Sequence, residues 1–534
     1  MLMVGGSAEA QLADITQISP TVPGGAINKS FTQEIGAGRG NILVPDSSLF
    51  IIARDPFRAV RRGRQIFQRK FQVAQGNGPK TDDGVGNPSL IGGDPSRVAG
   101  LADSCAACHG RPRGSAGFGG DVVTRPDSRD APHLFGLGLQ EQLADEMTRT
   151  LRAIRTAAQA QAEDDGAPVT RILRAKGVNF GSITANVDGT FNTGAAGCAA
   201  MTPAPTPCVV GVDPDLRIRP FFAQGGTISI REFLVGAFNA EMGLEGADPD
   251  LILAAAGGTV LTPAGMLLDG QVDKIEQSPV GSPTTDGDFD EVPDEIPVSI
   301  IDFMEFYLLN YFKAGLGPQT APVLAGRAVF TQIGCNSCHL PTFTISRDRR
   351  VADLDTVFDP VQGNPLNRLF ATGTVRVLNG LAGVDDFSGF PTLKIPAGQP
   401  FVVNNIFTDF KRHNLGNNFA ERNYEGTFQD LFITEPLWGV GTTPTYGHDG
   451  RSNTLEDVIL RHGGEAQVQR DAFAALSQPS RDMVTAFLQS LILFPPDDTA
   501  SNLQPKNEAA PRFPQNGHGA IALTPLFNNP ADLE

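Results

Sequence analysis

The spacing of hydrophobic and polar residues predicts a chain built mainly from helices. Apolar side chains recur every three or four positions, the period of one buried helix face, in five stretches. These stretches are residues 61–67, 137–161, 230–244, 300–312 and 325–330. We therefore expect a mainly α fold, with long loops between the helices.

One long uncharged run could be mistaken for a membrane segment. Residues 251–268 carry no charge, but Gly257-Gly258 and Thr262-Pro263 interrupt the run. A membrane-spanning helix needs about 20 predominantly apolar residues. The run therefore predicts a buried helix followed by a turn, and we expect no transmembrane segment.

Two of the predicted helices share a short pattern, glycine-arginine-x-hydrophobic-phenylalanine. It occurs at residues 63–67 and again at residues 326–330. This weak internal repeat predicts two related units, separated by an elaborated middle section.

The segments around these units have loop compositions. Residues 76–98 predict a surface loop, and the Pro/Asn-rich chain after residue 495 predicts a tail. The acidic residues 286–291 predict a solvated linker, with a calcium-binding loop as the alternative because carboxylates are hard oxygen ligands. The arginine-rich stretch 54–70 predicts a solvated helix face, with pairing to the carboxylates of a bound cofactor or to an acidic partner as the alternative.

Composition narrows the class of protein. Apolar residues make up 40% of the 534 residues, which is enough for sizeable cores, and 60 glycines and 40 prolines fit the expected loops. The 42 basic and 59 acidic residues give a net charge of −17, which argues against a protein that binds nucleic-acid phosphates.

Four of the six cysteines lie in two C-x-x-C-H motifs, at residues 105–109 and 335–339. This is the attachment signature of c-type haem: Cys105, Cys108, Cys335 and Cys338 would bind the vinyl groups covalently, and His109 and His339 would ligate the irons. The alternatives are a zinc site or a thioredoxin-like motif. Zinc is disfavoured because each site would need four ligands.

The other two cysteines, Cys198 and Cys208, lie in a Gly/Ala/Pro-rich loop. In an oxidising compartment they would form a disulfide, with free structural thiols as the alternative. Haem attachment also favours export, so we expect a periplasmic or secreted protein. Residues 1–10 lack the basic region of a complete signal peptide, although Ala8-Glu9-Ala10 resembles a cleavage site behind a truncated segment.

The remaining histidines are candidates for the second axial positions of the irons. Thr454 predicts the start of a helix, and Leu455, Ile459 and His462 then share its buried face, so His462 is a candidate iron ligand. His413 and His448 lie in predicted loops, where each would hydrogen-bond a haem propionate or a backbone group. His518 is expected to be exposed in the tail.

Over residues 55–495 the sequence resembles the dihaem cytochrome c peroxidase superfamily, most nearly its dihaem oxidoreductase branch, with the methylamine-utilisation dihaem enzyme and the haem rubber oxygenases as relatives. The resemblance is strongest at residues 435–439 (Glu-Pro-Leu-Trp-Gly), 446–451 (Tyr-Gly-His-Asp-Gly-Arg) and 462–466 (His-Gly-Gly-Glu-Ala).

The resemblance implies two cytochrome-c-like haem domains and two covalently bound c-type haems. The expected divisions are an N-terminal extension (1–54), an N-terminal haem domain with insertions (55–296), a C-terminal haem domain (297–495) and a C-terminal tail (496–534). It also implies that His462 is the second ligand of the C-terminal haem. A bis-histidine haem should have a lower potential than a His/Met haem.

The same resemblance implies roles around the N-terminal haem. Glu241 would be the acid/base group above it, since breaking an O–O bond requires moving a proton between the two oxygens. His448 is the second candidate catalytic residue, and His133 is a candidate displaceable iron ligand. Phe233 replaces a glutamine that is common in the family, which makes the expected pocket more apolar.

Two further features depart from the family or extend it. The tryptophan that lies between the haems in the family would fall near Phe221-Phe222, so Phe222 or Trp438 would have to line an electron path. The backbone carbonyls of Thr443 and Thr445 correspond to calcium ligands between the haems, which makes Ca²⁺ a further candidate cofactor.

The expected function is that of a dihaem oxidoreductase that passes electrons from the C-terminal haem to the N-terminal haem and reduces peroxide there. A small redox protein or another donor would supply the electrons. One alternative is an oxygenase of the rubber-cleaving type, which would bind oxygen beside an apolar pocket. The other is a non-catalytic electron-transfer cytochrome, which follows if His133 or another residue permanently caps the first iron.

Overall fold

The computed structural model describes residues 30–77, 102–109, 130–195, 198, 201, 203–287, 291–311, 315–356, 373–377, 381–422 and 427–492. The predicted signal segment, most of the 76–98 loop, the centre of the acidic 286–291 segment, His518 and the tail lie outside these residues. The described structure is mainly helical, with short strands. Within it, no helix is both long enough and apolar enough to cross a membrane.

The predicted helices are present, with several additions. The helices are α1 (Phe31–Ile35), α2 (Ser48–Arg54), α3 (Pro56–Gln68), α4 (Cys105–His109), α5 (Leu137–Asp165), α6 (Ile230–Met242), α7 (Pro249–Ala255), α8 (Val298–Asn310), α9 (Ala321–Gln332), α10 (Leu455–Arg461), α11 (Gln467–Ala474) and α12 (Gln478–Gln489).

The strands are short and antiparallel. They are β1 (Val169–Ala175), β2 (Val178–Ala185), β3 (Phe191–Asn192), β4 (Cys208–Val209), β5 (Thr259–Leu261), β6 (Leu267–Asp269), β7 (Gly315–Leu316), β8 (Thr342–Ile345), β9 (Ala352–Thr356), β10 (Gly373–Val377), β11 (Ala382–Val384), β12 (Leu393–Ile395), β13 (Phe401–Asn404), β14 (Arg412–Asn414), β15 (Glu421–Arg422), β16 (Phe428–Gln429), β17 (Leu431–Ile433) and β18 (Leu491–Ile492). β2 pairs with β1, β3 and β4, and the other strands form two-stranded ladders.

The first core surrounds the crossing of α3 and α8. Helices α1, α2, α5 and α6 pack around this pair. A Cβ atom at Gly63 of α3 would overlap the carbonyl oxygen of Phe303 in α8, so the glycine allows the two backbones to meet. The core is filled by large apolar side chains such as Ile51, Ile66 and Tyr307.

The second core repeats this arrangement in the C-terminal part. Here α9 packs on α12, and α10 also contacts α12. Gly326 is the counterpart of Gly63, because a Cβ there would overlap the carbonyl oxygen of Met483. The two glycines of the sequence repeat therefore occupy equivalent positions, each where a helix crosses its partner.

A third core lies between α5, the β1–β2 hairpin and the segment around Trp438. It includes Leu143, Phe180, Phe343 and the indole of Trp438, which is 1% exposed. Next to this core, Cys198 and Cys208 form a disulfide, with their Cα atoms 5.9 Å apart. The disulfide joins the start of β4 to the preceding loop.

Three details differ from the sequence predictions. Residues 251–268 were predicted as a buried helix and a turn; the helix is α7, and the residues after it form the β5–β6 hairpin, whose strands pair between Thr259 and Asp269. Helix α8 was expected to open the C-terminal unit, but it packs in the first core. Residues 31–54, expected as part of an extension, contribute α2 and the buried Ile51 to that core.

The prediction that the arginine-rich stretch forms a solvated face is wrong. Arg54, Arg62 and Arg69 are at most 3% exposed. Each guanidinium forms an ion pair at 2.5 Å, Arg54 with Asp386, Arg62 with Asp46 and Arg69 with Glu34. Burial without a partner would be costly for a charge, so these acidic residues are what allow the arginines to enter the core.

Candidate haem site

Both C-x-x-C-H motifs line one cavity of about 770 Å³. The motif residues on its wall are Cys105, Cys108, His109, Cys335, Cys338 and His339. Four further histidines line the same cavity: His133, His413, His448 and His462. The structure therefore brings together, from distant parts of the chain, every histidine in its described residues.

The first motif forms the short helix α4. The imidazole of His109 is held through Nδ1, which lies 2.6 Å from the carbonyl oxygen of Pro132. Because a carbonyl oxygen can only accept, Nδ1 carries the proton and the lone pair is on Nε2. Burial lowers the pKa of His109, which favours the neutral ring that a metal requires.

The second motif follows α9 directly and begins with a 3₁₀ turn, Cys335–Ser337. The imidazole of His339 is held in the same way, with Nδ1 2.9 Å from the carbonyl oxygen of Phe407. Burial lowers the pKa of His339 to about 4, so this ring is also neutral. Both motif histidines therefore have Nε2 available as a ligand atom.

The cysteines of the two motifs fit attachment of a haem better than a zinc site. Neither motif is closed by a disulfide. Burial raises the pKa of both Cys105 and Cys335 to about 12, so without a bound group they are protonated thiols. Each motif offers two thiols and one imidazole, whereas a structural zinc site needs four ligands. Two thiols and one neutral imidazole in each motif are the residues that would hold a c-type haem.

A second grouping of ligand-type atoms consists of Cys338, Asp409 and His413. His413 lies 2.9 Å from Asp409 and 2.8 Å from Glu465. Burial lowers the pKa of His413, but its hydrogen bonds to Asp409, Cys338 and Glu465 outweigh this and raise the pKa to about 11. Without a bound metal, the imidazole is therefore protonated and donates from both nitrogens. His413 is thus a buried cation paired with two carboxylates. Its predicted hydrogen bond to a haem propionate or a backbone group stays a prediction.

His462 faces the cavity from the end of α10. Thr454 caps the helix by accepting a hydrogen bond from the backbone N–H of Asp457, as predicted. The helix ends at Arg461, so His462 is its C-cap residue, one position beyond the predicted face. Its Nδ1 lies 2.7 Å from the carbonyl oxygen of Val458, which leaves Nε2 available. Burial lowers the pKa of His462 and keeps the ring neutral.

His133 is oriented differently from the other neutral histidines. Its Nε2 lies 3.0 Å from the carbonyl oxygen of Trp438, so Nε2 carries the proton. Its Nδ1 is buried and has no hydrogen-bond partner among the described residues. Burial lowers the pKa of His133 to about 4. Only Nδ1 could bind an iron, and the ligand role of His133 stays a prediction.

Glu241 lies in the last turn of α6 and lines the cavity. Its backbone carbonyl accepts a hydrogen bond from Ala102, three residues before the first motif, at 3.0 Å. Phe233 lies about two turns earlier on the same helix. Its ring centroid is 6.1 Å from that of Phe221 and 5.4 Å from that of Phe222. Glu241 and these aromatic rings thus line the same cavity as the first motif.

His448 and the two threonines predicted near calcium also line the cavity. The His448 ring stacks on Phe432 at a centroid distance of 4.1 Å, and its Nε2 lies 3.1 Å from a carboxylate oxygen of Glu421. The Thr443 hydroxyl donates to the carbonyl oxygen of Gly439 at 3.2 Å. The catalytic role of His448 and the calcium site at Thr443 and Thr445 stay predictions.

One cavity residue that the sequence analysis left without a role is Glu435. It receives no hydrogen bond from the described part of the chain, and its side chain is exposed and lines the cavity. Burial raises the pKa of Glu435 to about 7. Its position in the block 435–439 was a signal, but a sequence does not show that a carboxyl group lacks a charged partner.

Comparison with known proteins gives one family match. The family described as "Di-haem oxidoreductase, putative peroxidase" matches residues 382–491. This segment contains His448 and His462 and begins after both C-x-x-C-H motifs. No curated protein matches the chain. Among solved structures, hydrazine synthase of Kuenenia stuttgartiensis, pressurized with 20 bar xenon, aligns with 36% of this chain at 14% identity and a TM-score of 0.21. The alignment spans 55% of that chain.

Proposed function

We propose that this chain is an exported c-type dihaem oxidoreductase that reduces peroxide. In this proposal His109 and His339 ligate two covalently attached haems, and His462 is the second ligand at the C-terminal site. Electrons enter at the C-terminal site and pass to the N-terminal site. The observation that carries the proposal is the single cavity onto which both motifs open, each with its histidine held through Nδ1 by a backbone carbonyl.

The haems would supply two redox-active irons, and the chain's own residues would do the rest. Reducing hydrogen peroxide breaks its O–O bond and consumes two electrons and two protons, which yields two water molecules. Glu241 is the group proposed to move a proton between the two oxygens. The aromatic wall of Phe221, Phe222 and Phe233 would exclude water from the reacting site and strengthen electrostatic interactions there.

The same aromatic wall favours one alternative function. An apolar substrate could pack on these three phenylalanine rings, which is the surface that an oxygenase acting on a hydrocarbon would need. In that case oxygen, not peroxide, would be the co-substrate.

The electron donor in the main proposal is a small redox protein, and the location is the periplasm or the exterior of the cell.

Spectra of the purified protein test the proposal. We expect a haem content of two per chain, one low-spin bis-histidine signal in electron paramagnetic resonance, and a second signal that changes when hydrogen peroxide is added. Oxygen with an apolar substrate would instead change the second signal if the alternative holds. Two low-spin signals that respond to neither oxidant would leave only electron transfer and would exclude both enzymatic functions.

A substitution separates the role of Glu241 from that of the cavity as a whole. Glu241→Gln should reduce peroxide turnover by about 10²- to 10⁴-fold, the usual contribution of a general acid/base, while haem content stays at two. Glu276→Gln is the matched control, because Glu276 lines the same cavity. Equal turnover in wild type and Glu241→Gln would show that the proton is moved by another group.

A further inference from the structure

A chain of hydrogen bonds connects the two motif histidines through the protein. It starts at His109, whose Nδ1 contacts the carbonyl oxygen of Pro132 at 2.6 Å. The next residue is His133, whose Nε2 contacts the carbonyl oxygen of Trp438 at 3.0 Å. The first half of the connection thus runs from the N-terminal site into the C-terminal part of the molecule.

The second half returns to the other motif. The backbone N–H of Leu437, next to Trp438, donates to the carbonyl oxygen of Ile406 at 2.9 Å. The carbonyl oxygen of the following residue, Phe407, lies 2.9 Å from Nδ1 of His339. Four hydrogen bonds and the covalent segments between them therefore link one imidazole to the other.

We propose that His133 is the bridge in an electron path between the two haem sites, which runs through the hydrogen bonds from His339 to His109. This inference rests on the proposed function, because it requires both sites to be filled. It assigns His133 a positioning and conducting role in place of the ligand role. It also places the path on the backbone of Trp438 and not through the ring of Phe222, which is 40% exposed.

Of the four hydrogen bonds, the one made by His133 is the one that a substitution can remove selectively. Its hydrogen bond to Trp438 is the one made by a side chain that belongs to neither motif, so a substitution can break it without removing a predicted iron ligand at His109 or His339. The ring is buried and neutral, with the proton on Nε2, so it can remain a donor in both redox states.

The step itself balances simply. One electron leaves the reduced C-terminal site and arrives at the oxidised N-terminal site, and no bond forms or breaks. No proton has to move, because Nε2 of His133 keeps its hydrogen throughout. A one-electron donor such as a small redox protein supplies the electron, and peroxide at the N-terminal site finally accepts it.

Two substitutions at one position test the path. His133→Phe keeps a ring of similar size but removes the donor, and the contact with the Trp438 carbonyl widens from about 3 Å to the roughly 4 Å of a van der Waals contact. His133→Gln is the matched control, because its amide N–H₂ can still donate to that carbonyl. After rapid photoreduction of the dihaem protein, the rate of electron redistribution between the sites is followed by absorbance.

We expect His133→Phe to slow redistribution by about tenfold, with His133→Gln within about twofold of wild type. Potentials of both sites, measured by spectroelectrochemistry, should be the same in all three proteins, so the driving force is not the cause. Equal rates in wild type and His133→Phe would overturn the path. A change of the N-terminal site from low to high spin in either variant would instead make His133 an iron ligand and would also overturn it.

A measurement without substitution covers the case in which His133→Phe fails to mature. In the fully reduced protein with ¹⁵N-labelled histidine, the His133 signals should show a neutral ring protonated at Nε2. A proton on Nδ1 would break the path. Failure of the proposed function can be distinguished from failure of the electron path. A chain that carries fewer than two haems contradicts the proposed function before any rate is measured.

Discussion

Glu435 is the cavity residue whose ionisation is expected to change near neutral pH. Burial raises its pKa from the ordinary value of 4.5 to about 7. Between these pH values the folded protein holds a proton that the unfolded chain has lost. The free energy of unfolding should therefore fall as pH rises from about 4.5 to about 7, and it should level off above that range.

Glu435→Gln removes this dependence, because the amide does not titrate. Relative to the variant, wild type should lose stability between pH 5 and pH 8, as measured by denaturant unfolding of the holoprotein at several pH values. Glu163→Gln makes the same chemical change on an exposed part of α5, and its curve should run parallel to that of wild type. A wild-type curve that also runs parallel to that of Glu435→Gln would contradict the shifted pKa.

His413 also has a raised pKa, but here the folded protein favours the charged form of the side chain. Its carboxylate neighbours raise the pKa to about 11 in spite of burial, so the charged ring stabilises the folded state at low and neutral pH. That contribution is complete below the ordinary pKa of 6.5 and is lost as pH rises towards 11. Asp409, which is 3% exposed on its side chain, is the more buried of its two carboxylate partners.

Asp409→Asn leaves the buried cation with a weaker partner. We expect a loss of about 3 kcal/mol in the free energy of unfolding at pH 7 and a smaller loss at pH 10, where wild type has itself lost most of the contribution. Glu465→Gln is the comparison, since the Glu465 side chain is 30% exposed and its pair with His413 should be worth about 1 kcal/mol or less. Similar losses for both variants would show that burial does not decide the strength of the two pairs.

At the scale of elements, the two repeat glycines determine how closely the main helix pairs approach. Gly63→Ala and Gly326→Ala would each place a methyl group against a backbone carbonyl, that of Phe303 or that of Met483, which cannot rotate away. Each should lower the free energy of unfolding by about 1–3 kcal/mol. Gly236→Ala is the control, because the nearest atom to its added Cβ lies at 3.9 Å, at the end of the Glu276 side chain.

Thermal and denaturant unfolding of the three variants gives the comparison. The control should be neutral or slightly stabilising, since alanine is the better helix former. A loss in Gly236→Ala as large as in Gly63→Ala would mean that helix propensity or cavity shape, and not the closeness of α3 to α8, explains the result.

Hydrophobic periodicity predicted helices well and strands poorly, for a physical reason. A helix such as α6 satisfies its hydrogen bonds locally, so its period is visible in the residues themselves. Strand β1 has only two buried positions, near its end, and its partner β2 is chosen by the packing of both on α5. Helix α8 was recognised, but a sequence cannot show that it packs with α3 in the first core.

For the candidate site, too, some residues could be predicted from the sequence and others could not. The cysteines and motif histidines could be read from the sequence because covalent attachment fixes their spacing. The ion pair between Arg54 and Asp386 joins residues 332 positions apart, and no local pattern predicts it. The role of Pro132, Phe407 and Trp438 was equally invisible, because each acts through a backbone carbonyl that every residue possesses.

At the scale of the whole molecule, the cavity is lined by side chains from both the first and the second core. Phe67, Leu134 and Phe238 belong to the first core and line the cavity, and Phe330, Phe473 and Leu488 do the same for the second core. Side chains that line a space without partner atoms lose dispersion contacts. Each haem site should therefore stabilise the core beside it more than the distant one.

Removing one attachment site at a time tests this division. Cys105→Ala/Cys108→Ala should reduce amide hydrogen-exchange protection in α3 and α8 by roughly 100-fold, the equivalent of a core cavity costing about 3 kcal/mol, with a smaller effect in α9 and α12. Cys335→Ala/Cys338→Ala should show the reverse pattern. Hydrogen exchange read by mass spectrometry measures all four helices in one experiment. Equal loss in both helix pairs would mean that the two cores unfold as one cooperative unit, in spite of their separate packing.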